Sequence, residues 1–225
     1  MSRLFWVLLG FIILLSGLQW MVPSWVGRAS AAWLGQHLHG PRPAVEISAI
    51  PFWRLGRGQF QLLVVRGRDL TVSGIVLHAV HLTWQNGQVG LSAKGQPVKV
   101  LRAGRIDGQV SMTAFQVARL IDQKGILSKT RVAFQGQNLM VSGVLPLAGR
   151  RVPITVRGPL VLGHGGTAVT FRPRVLDSAT IPLSTSITVL QLSAFRLPIA
   201  LKLTRLYLHQ GQLTVNFQNR YFRAL

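Results

Sequence analysis

The segment DLTVSG, Asp69 to Gly74, recurs almost unchanged as NLMVSG, Asn138 to Gly143. Each copy alternates apolar and polar residues and contains a late glycine, which is typical of a half-buried β-strand that approaches a turn. The two copies start 69 residues apart and therefore predict two related β-meander halves. We expect a fold built mostly of antiparallel strands.

The residues around both copies continue this strand pattern. IVLHAVHLTW, Ile75 to Trp84, places alternate apolar residues on one side, and the following Asn86-Gly87 is a strong signal for a two-residue hairpin turn. A second strand-rich block runs to Phe217. Glycines are expected to divide it into hairpins, at Gly158, Gly165-Gly166 and Gln210-Gly211.

One convincing helix separates the two blocks, in SMTAFQVARLIDQKG. Thr113 and Gln116 have capping-box spacing, and Gly125 follows as the usual left-handed terminal residue. An apolar stripe spans the helix, formed by Ala114, Val117, Leu120 and Ile121. The predicted class is a β-rich α+β fold in which a curved antiparallel sheet of meanders wraps around this central amphipathic helix, preceded by an N-terminal transmembrane helix.

The N-terminal segment predicts a membrane anchor. Leu4 to Val22 contains 19 residues without a charge, about 28 Å as a helix, which is close to the hydrocarbon thickness of a bilayer. Pro23 is expected to stop the helix. A cleaved signal peptide, with Ala29-Ser30-Ala31 as its cleavage site, is the alternative. Residues 1–25 are therefore anchor or signal, 26–44 a linker or short amphipathic helix, and 45–225 an exported β-rich domain.

Composition points to an anionic partner. The chain has 25 basic and 5 acidic residues, no cysteine and 48% hydrophobic residues, so it should fold without disulfides. Nucleic acid is disfavoured because the arginines are single and interspersed through strands rather than clustered on a helix or in a basic run. Anionic phospholipid fits better, since each basic side chain near such a membrane contributes about 1 kcal/mol. A basic surface that binds nothing is the simpler alternative.

No motif points to catalysis. The five acidic residues are far apart, the six histidines lack metal-ligand spacing, and no nucleophile elbow, phosphate loop or dinucleotide fingerprint occurs. We therefore expect no enzyme activity, cofactor or metal.

The order of elements resembles the LmeA-like family of bacterial envelope proteins, which are described as phospholipid-binding and have a suspected kinship to tubular lipid-binding folds. The matching elements include the N-terminal span, IPFWRLGRGQFQLLV before the first long strand, DLTVSGIVLHAVHLTWQNGQV, the VSMTAFQVARLI helix and the closing LPIALKLTRLYLHQGQLTVNF. The resemblance implies phospholipid binding or transfer in the cell envelope. It carries no catalytic motif.

These observations give a first hypothesis for the site. The apolar lining is predicted at the helix residues Ala114, Phe115, Val117, Leu120 and Ile121. Headgroup phosphates are predicted to meet Arg54, Arg57, Arg66 and Arg68. The expected function is that of a membrane-anchored, extracytoplasmic, non-enzymatic protein of the bacterial cell envelope for phospholipid binding or lipid transfer. The alternative is an envelope scaffold that binds a protein or an anionic wall polymer through its basic face.

Overall fold

The structure is a computed structural model that describes residues 17–19, 21–32, 40–90, 99–125, 127–147, 150–163, 165–175, 186–195, 199–209 and 211–219. Most of the predicted membrane span, residues 1–16 and 20, lies outside these ranges. Within them, no helix combines the length and the apolarity that a membrane crossing requires.

The described residues form thirteen strands. In chain order they are β1 (Ala44–Ser48), β2 (Gln59–Val72), β3 (Ile75–Gly90), β4 (Lys99–Arg102), β5 (Arg105–Thr113), β6 (Ser128–Gln135), β7 (Asn138–Leu147), β8 (Arg150–Gly163), β9 (Ala168–Phe171), β10 (Arg174–Val175), β11 (Ile187–Gln191), β12 (Leu201–His209) and β13 (Gln212–Asn219).

These strands form two open antiparallel sheets rather than the single curved sheet that was predicted. Sheet A has the order β1-β2-β3-β5-β13-β12, with β4 paired to β3. Sheet B has the order β11-β9-β8-β7-β6, with β10 paired to β8. The division follows from the apolar faces, because two sheets that each have one apolar face bury both by packing together. One hydrophobic cluster accordingly contains side chains from both sheets.

The predicted helix is present as Ala114–Gln123 and packs against strands of both sheets, β3 and β5 of sheet A and β6 and β11 of sheet B. Its capping box is confirmed. Gln116 N donates to Thr113 Oγ1 at 3.4 Å, and Thr113 N donates to Gln116 Oε1 at 2.9 Å. That the sheets wrap around this helix, here called α2, stays a prediction.

A second helix, α1, comprises described residues 17–19 and 21–32. It therefore continues past Pro23, and the prediction that this proline stops the helix was wrong. Pro23 is buried within this helix, although a proline removes one backbone hydrogen-bond donor from a helix. Gly27 allows close contact, since a Cβ at this position would lie 2.7 Å from the carbonyl oxygen of Val45 in β1.

The hairpin predicted at Asn86-Gly87 does not exist, because β3 continues through both residues to Gly90. Asn86 has a φ of 52°, which marks an irregularity within the strand. Gly87 is required for packing rather than for a turn, since a Cβ there would lie 2.6 Å from Trp84 Nε1. The turn instead lies at Ser73 and Gly74, whose φ values are 51° and 79°, as the favoured two-residue hairpin requires.

The repeated segment does not mark equivalent halves. In the first copy, Ser73-Gly74 forms the turn between β2 and β3, whereas in the second copy Ser142 and Gly143 lie inside β7. Gly158 is likewise a buried residue within β8 and not a hairpin turn. The turn at Gly165-Gly166 between β8 and β9 is confirmed.

Candidate functional site

Sheet A has one apolar and one polar face at its centre. The strand register places Val65 opposite Leu82 and Gly67 opposite Val80, and it continues from Leu82 to Gly108 and from Val80 to Val110. Side chains alternate between faces, so these residues share one side of the sheet. The opposite side carries polar residues of the same strands, such as Arg66, His81, Thr83 and Gln109, together with the buried Val64.

Part of the apolar face is only partly buried. Its half-buried members are here called the apolar strip and are Leu63, Val65, Val80, Leu82 and Val110, of which all but Val65 pack against the hydrophobic core. The strip borders side chains that are buried on the same face, Trp84, Ile106 and Phe217. Residues 63 to 67 span about 13 Å along β2 and three strands span about 10 Å, so the strip matches a segment of an acyl chain.

Two glycines lie on the same face as the strip, Gly67 and Gly108. Larger side chains cover both positions on this face, the Leu70 side chain at Gly67 and the Phe217 ring at Gly108. The glycines therefore make room for these two side chains beside the strip.

One end of sheet A is strongly basic. The 3-10 helix Phe52–Arg57 leads into β2 at this end and is tied to β3 by the bond from Val89 N to Gly58 O at 3.0 Å. β4 pairs with the same end of β3. The exposed cations there, here called the basic end, are Arg54, Arg57, Lys99 and Arg102. The nearby carboxylate of Asp107 is already engaged by Arg105, with Nε and Oδ2 at 2.6 Å.

The structure separates the four arginines that were predicted to act together. Arg54 and Arg57 lie at the basic end, close in sequence to the start of β2. Arg66 and Arg68 lie farther along β2, on the face opposite the apolar strip. Arg66 also pairs with Glu46 of β1 at 3.1 Å. Arg54 and Arg57 therefore lie at the basic end, while Arg66 and Arg68 project from the polar face.

The helix residues predicted as an apolar lining lie mostly in the core. Val117 and Ile121 have no accessible surface, Leu120 is buried and Ala114 is half-buried. Phe115 projects outward with 66% of its surface exposed, and the Arg119 guanidinium lies 4.7 Å from its ring centroid. Lipid contact by this helix stays a prediction, because its buried members could meet an acyl chain only if the sheets separated.

The apolar strip was not predicted from the sequence, although the alternation of apolar residues that forms it was visible. The alternation of Val80, Leu82 and Trp84 was noted, but an apolar strand face is more often covered by core than open. The distinction depends on which neighbours cover each residue. Trp84 is buried and its indole donates to the carbonyl oxygen of Ala103, whereas Val80 and Leu82 stay half-buried.

Two other features give no alternative site of comparable size. The described residues contain no group of three or more histidine, aspartate or glutamate side chains that could hold a metal ion. A cleft of about 170 Å³ lies between the end of β6 and the β12–β13 turn. Its lining is Phe134, Gly136, Leu208, His209 and Gly211, and it is smaller than sites that enclose drug-sized ligands.

Two antiparallel sheets, with a partly buried apolar strip and a basic end on sheet A, define a β-rich protein. The chain belongs to the LmeA-like phospholipid-binding family, whose family model matches residues 18–218. That match confirms the family resemblance seen in the strand and helix order. Neither the comparison with curated proteins nor the comparison with solved structures gives a significant match.

Proposed function

We propose that this chain binds phospholipid on the extracytoplasmic side of a bacterial membrane, to which the uncharged segment Leu4 to Val22 anchors it. Family membership supports the lipid. The apolar strip carries the proposal for the site: acyl carbons cover Val65, Leu82 and their neighbours, and the phosphate meets Arg54 or Arg57. Arginine suits this role because its planar fork donates to two phosphate oxygens.

The half-buried state of the strip supports lipid transfer as part of this function. A ligand bound on this partly exposed face can leave without unfolding of the core, whereas an enclosed lipid would need the sheets to part. Transfer of a fluorescent phospholipid between two vesicle populations, with and without the full chain, measures this step directly.

A binding role rather than catalysis is supported by the engagement of the described carboxylates. Glu46 pairs with Arg66, Asp69 lies 3.2 Å from His78 Nδ1, and Asp107 pairs with Arg105. The fourth, Asp122, accepts a hydrogen bond from Thr130 N at 3.1 Å. These partners account for the acids structurally, and general acid–base chemistry would need a carboxylate positioned at a ligand.

The test introduces a charge into the strip. Val65→Asp places a carboxylate among acyl-contacting residues, so we expect phospholipid that co-purifies with the full chain to fall at least tenfold by mass spectrometry. Val65 is suited to this change because it is half-buried and is not packed into the core cluster. His81→Asp is the matched control, since it adds the same charge on the opposite face of the neighbouring strand.

Equal lipid in both variants, with unchanged melting temperatures, would contradict binding at the strip. Wild-type protein without any phospholipid would favour the second candidate, an envelope scaffold. The observation in favour of that candidate is the filled interior around Val117 and Ile121, where no accessible space remains.

A further inference from the structure

Large apolar side chains are exposed in α1 and in the loop before β2. Met21 is 67% exposed and Trp25 68% exposed in α1, while Ile50 is 59% and Trp53 58% exposed in the loop. These four residues are here called the N-terminal patch. Single exposed apolar residues are common on protein surfaces. Two exposed tryptophans together with an exposed methionine and isoleucine, in two connected segments, indicate an interaction surface.

Specific bonds hold the two segments together. Gln19 Nε2 donates to the carbonyl oxygen of Ala49 at 2.7 Å, and Phe52 N donates to Gln19 Oε1 at 3.0 Å. One side chain of α1 therefore binds the loop on both sides of Ile50. The face of α1 that contains Pro23 and Gly27 is buried, so Met21 and Trp25 project from the outward face.

The charges beside the patch are positive. Arg28 is exposed in α1, and Arg54 and Arg57 are exposed directly after Trp53. The sequence contains no acidic residue before Glu46 and none between Glu46 and Asp69. Tryptophan favours the membrane–water interface, and arginine beside it is attracted by anionic headgroups.

We infer that the N-terminal patch docks the domain on the surface of an anionic phospholipid bilayer. The argument for this occupant is the charge complementarity together with the chain itself, since α1 contains the last residues of the uncharged segment that begins at Leu4. The inference depends on the proposed function in one respect, namely that the domain lies beside a membrane. Docking would hold the basic end, and the Leu63 side of the apolar strip, toward the lipid headgroups.

The test uses the full chain in nanodiscs that contain phosphatidylglycerol, phosphatidylcholine and a lipid with a nitroxide on its acyl chain. Because the chain has no cysteine, single cysteines can be labelled cleanly with a fluorophore. Gly56→Cys reports on the patch without altering it, since no atom lies within 4 Å of a Cβ there. Ser73→Cys reports on the far end of β2, a 14-residue strand about 45 Å long.

We expect quenching at position 56 to exceed quenching at position 73 at least fivefold. The double change Trp25→Ser with Trp53→Ser should reduce quenching at position 56 by more than half. Tyr207→Ser is the matched control, because it removes another exposed aromatic ring, from the edge strand of sheet A opposite β1, and should leave the quenching unchanged. Replacing phosphatidylglycerol by phosphatidylcholine should also weaken the quenching.

Equal quenching at positions 56 and 73, or quenching that ignores the double change, would overturn the inference. Energy transfer between labels at position 56 of two chains, without quenching by the lipid, would assign the patch to a second copy instead. Docking and lipid binding fail separately: an empty protein that is still quenched overturns only the proposed function, and a lipid-filled protein that is not quenched overturns only the docking.

Discussion

Glycine residues decide the local packing of sheet A. At Gly87, the missing side chain lets the Phe60 and Trp84 rings meet edge to face, with centroids 5.0 Å apart and planes at 88°. At Gly108, the buried Phe217 ring occupies the space over the backbone. The absence of a Cβ thus creates room for an aromatic ring in both cases, and neither glycine lies in a turn. Glycine at these two positions therefore determines how the aromatic rings pack in the core.

Gly108→Ala should destabilise the domain by about 1–3 kcal/mol, because the added methyl group forces a buried ring from its place. Denaturant unfolding measures the change. Gly56→Ala is the control, since open space surrounds that position and the free energy of unfolding should stay within about 0.5 kcal/mol of wild type. A Gly108→Ala protein as stable as the control would show that Phe217 can move at little cost.

At the scale of elements, helix α2 is specified locally and stabilised by the tertiary structure. Its capping box satisfies backbone donors at the N-terminus, and its buried stripe removes apolar side chains from water. Burying each valine, leucine or isoleucine stabilises by about 1.5–3 kcal/mol, whereas the cap contributes about 1 kcal/mol. Packing is therefore the larger contribution, and the cap determines where the helix begins.

Thr113→Ala should lower the free energy of unfolding by about 1 kcal/mol, because Gln116 N loses its acceptor. Thr113→Ser keeps an acceptor oxygen and should restore most of the loss. Urea unfolding of the three proteins, followed by circular dichroism, gives the comparison. If alanine and serine are equally destabilising, the lost methyl group of Thr113 rather than the cap is responsible.

For the whole molecule, the formal net charge of +20 is the dominant electrostatic feature. The ion pairs between Arg66 and Glu46 and between Arg105 and Asp107 are exposed and contribute little to stability. Repulsion among the remaining cations opposes folding, and the same positive charge attracts anionic surfaces. The same charge that we propose for lipid docking thus lowers stability in dilute buffer.

Added salt should therefore raise the melting temperature. Screening that recovers about 1 kcal/mol corresponds to about 2–4 °C for a chain of this size. Thermal unfolding at 10, 150 and 500 mM sodium chloride, in the absence of lipid, tests this, with glucose of equal osmolality as the control. A melting temperature that falls with salt would mean that attractive ion pairs outweigh the repulsion.

The local sequence was sufficient to predict the strand-rich class, the bounds and cap of α2, and the family. Whether Asn86-Gly87 forms a turn or continues the strand was not predictable from the local sequence. Gly87 makes room for the Phe60 ring of β2 and the Trp84 ring of β3, which is a tertiary contact. Pro23 was expected to end the helix, but α1 continues past it and Pro23 is buried.

The sequence by itself determined which residues alternate, where α2 starts, and that basic side chains far outnumber acidic ones. Only the tertiary structure decided the division into two sheets and the position of the apolar strip. Both depend on contacts between distant residues, such as the bond from Ile106 N to Asn219 Oδ1 at 3.2 Å, across 113 positions of the chain. Periodicity shows that a strand has an apolar face, but only the neighbours that pack on that face decide whether it becomes core or open surface.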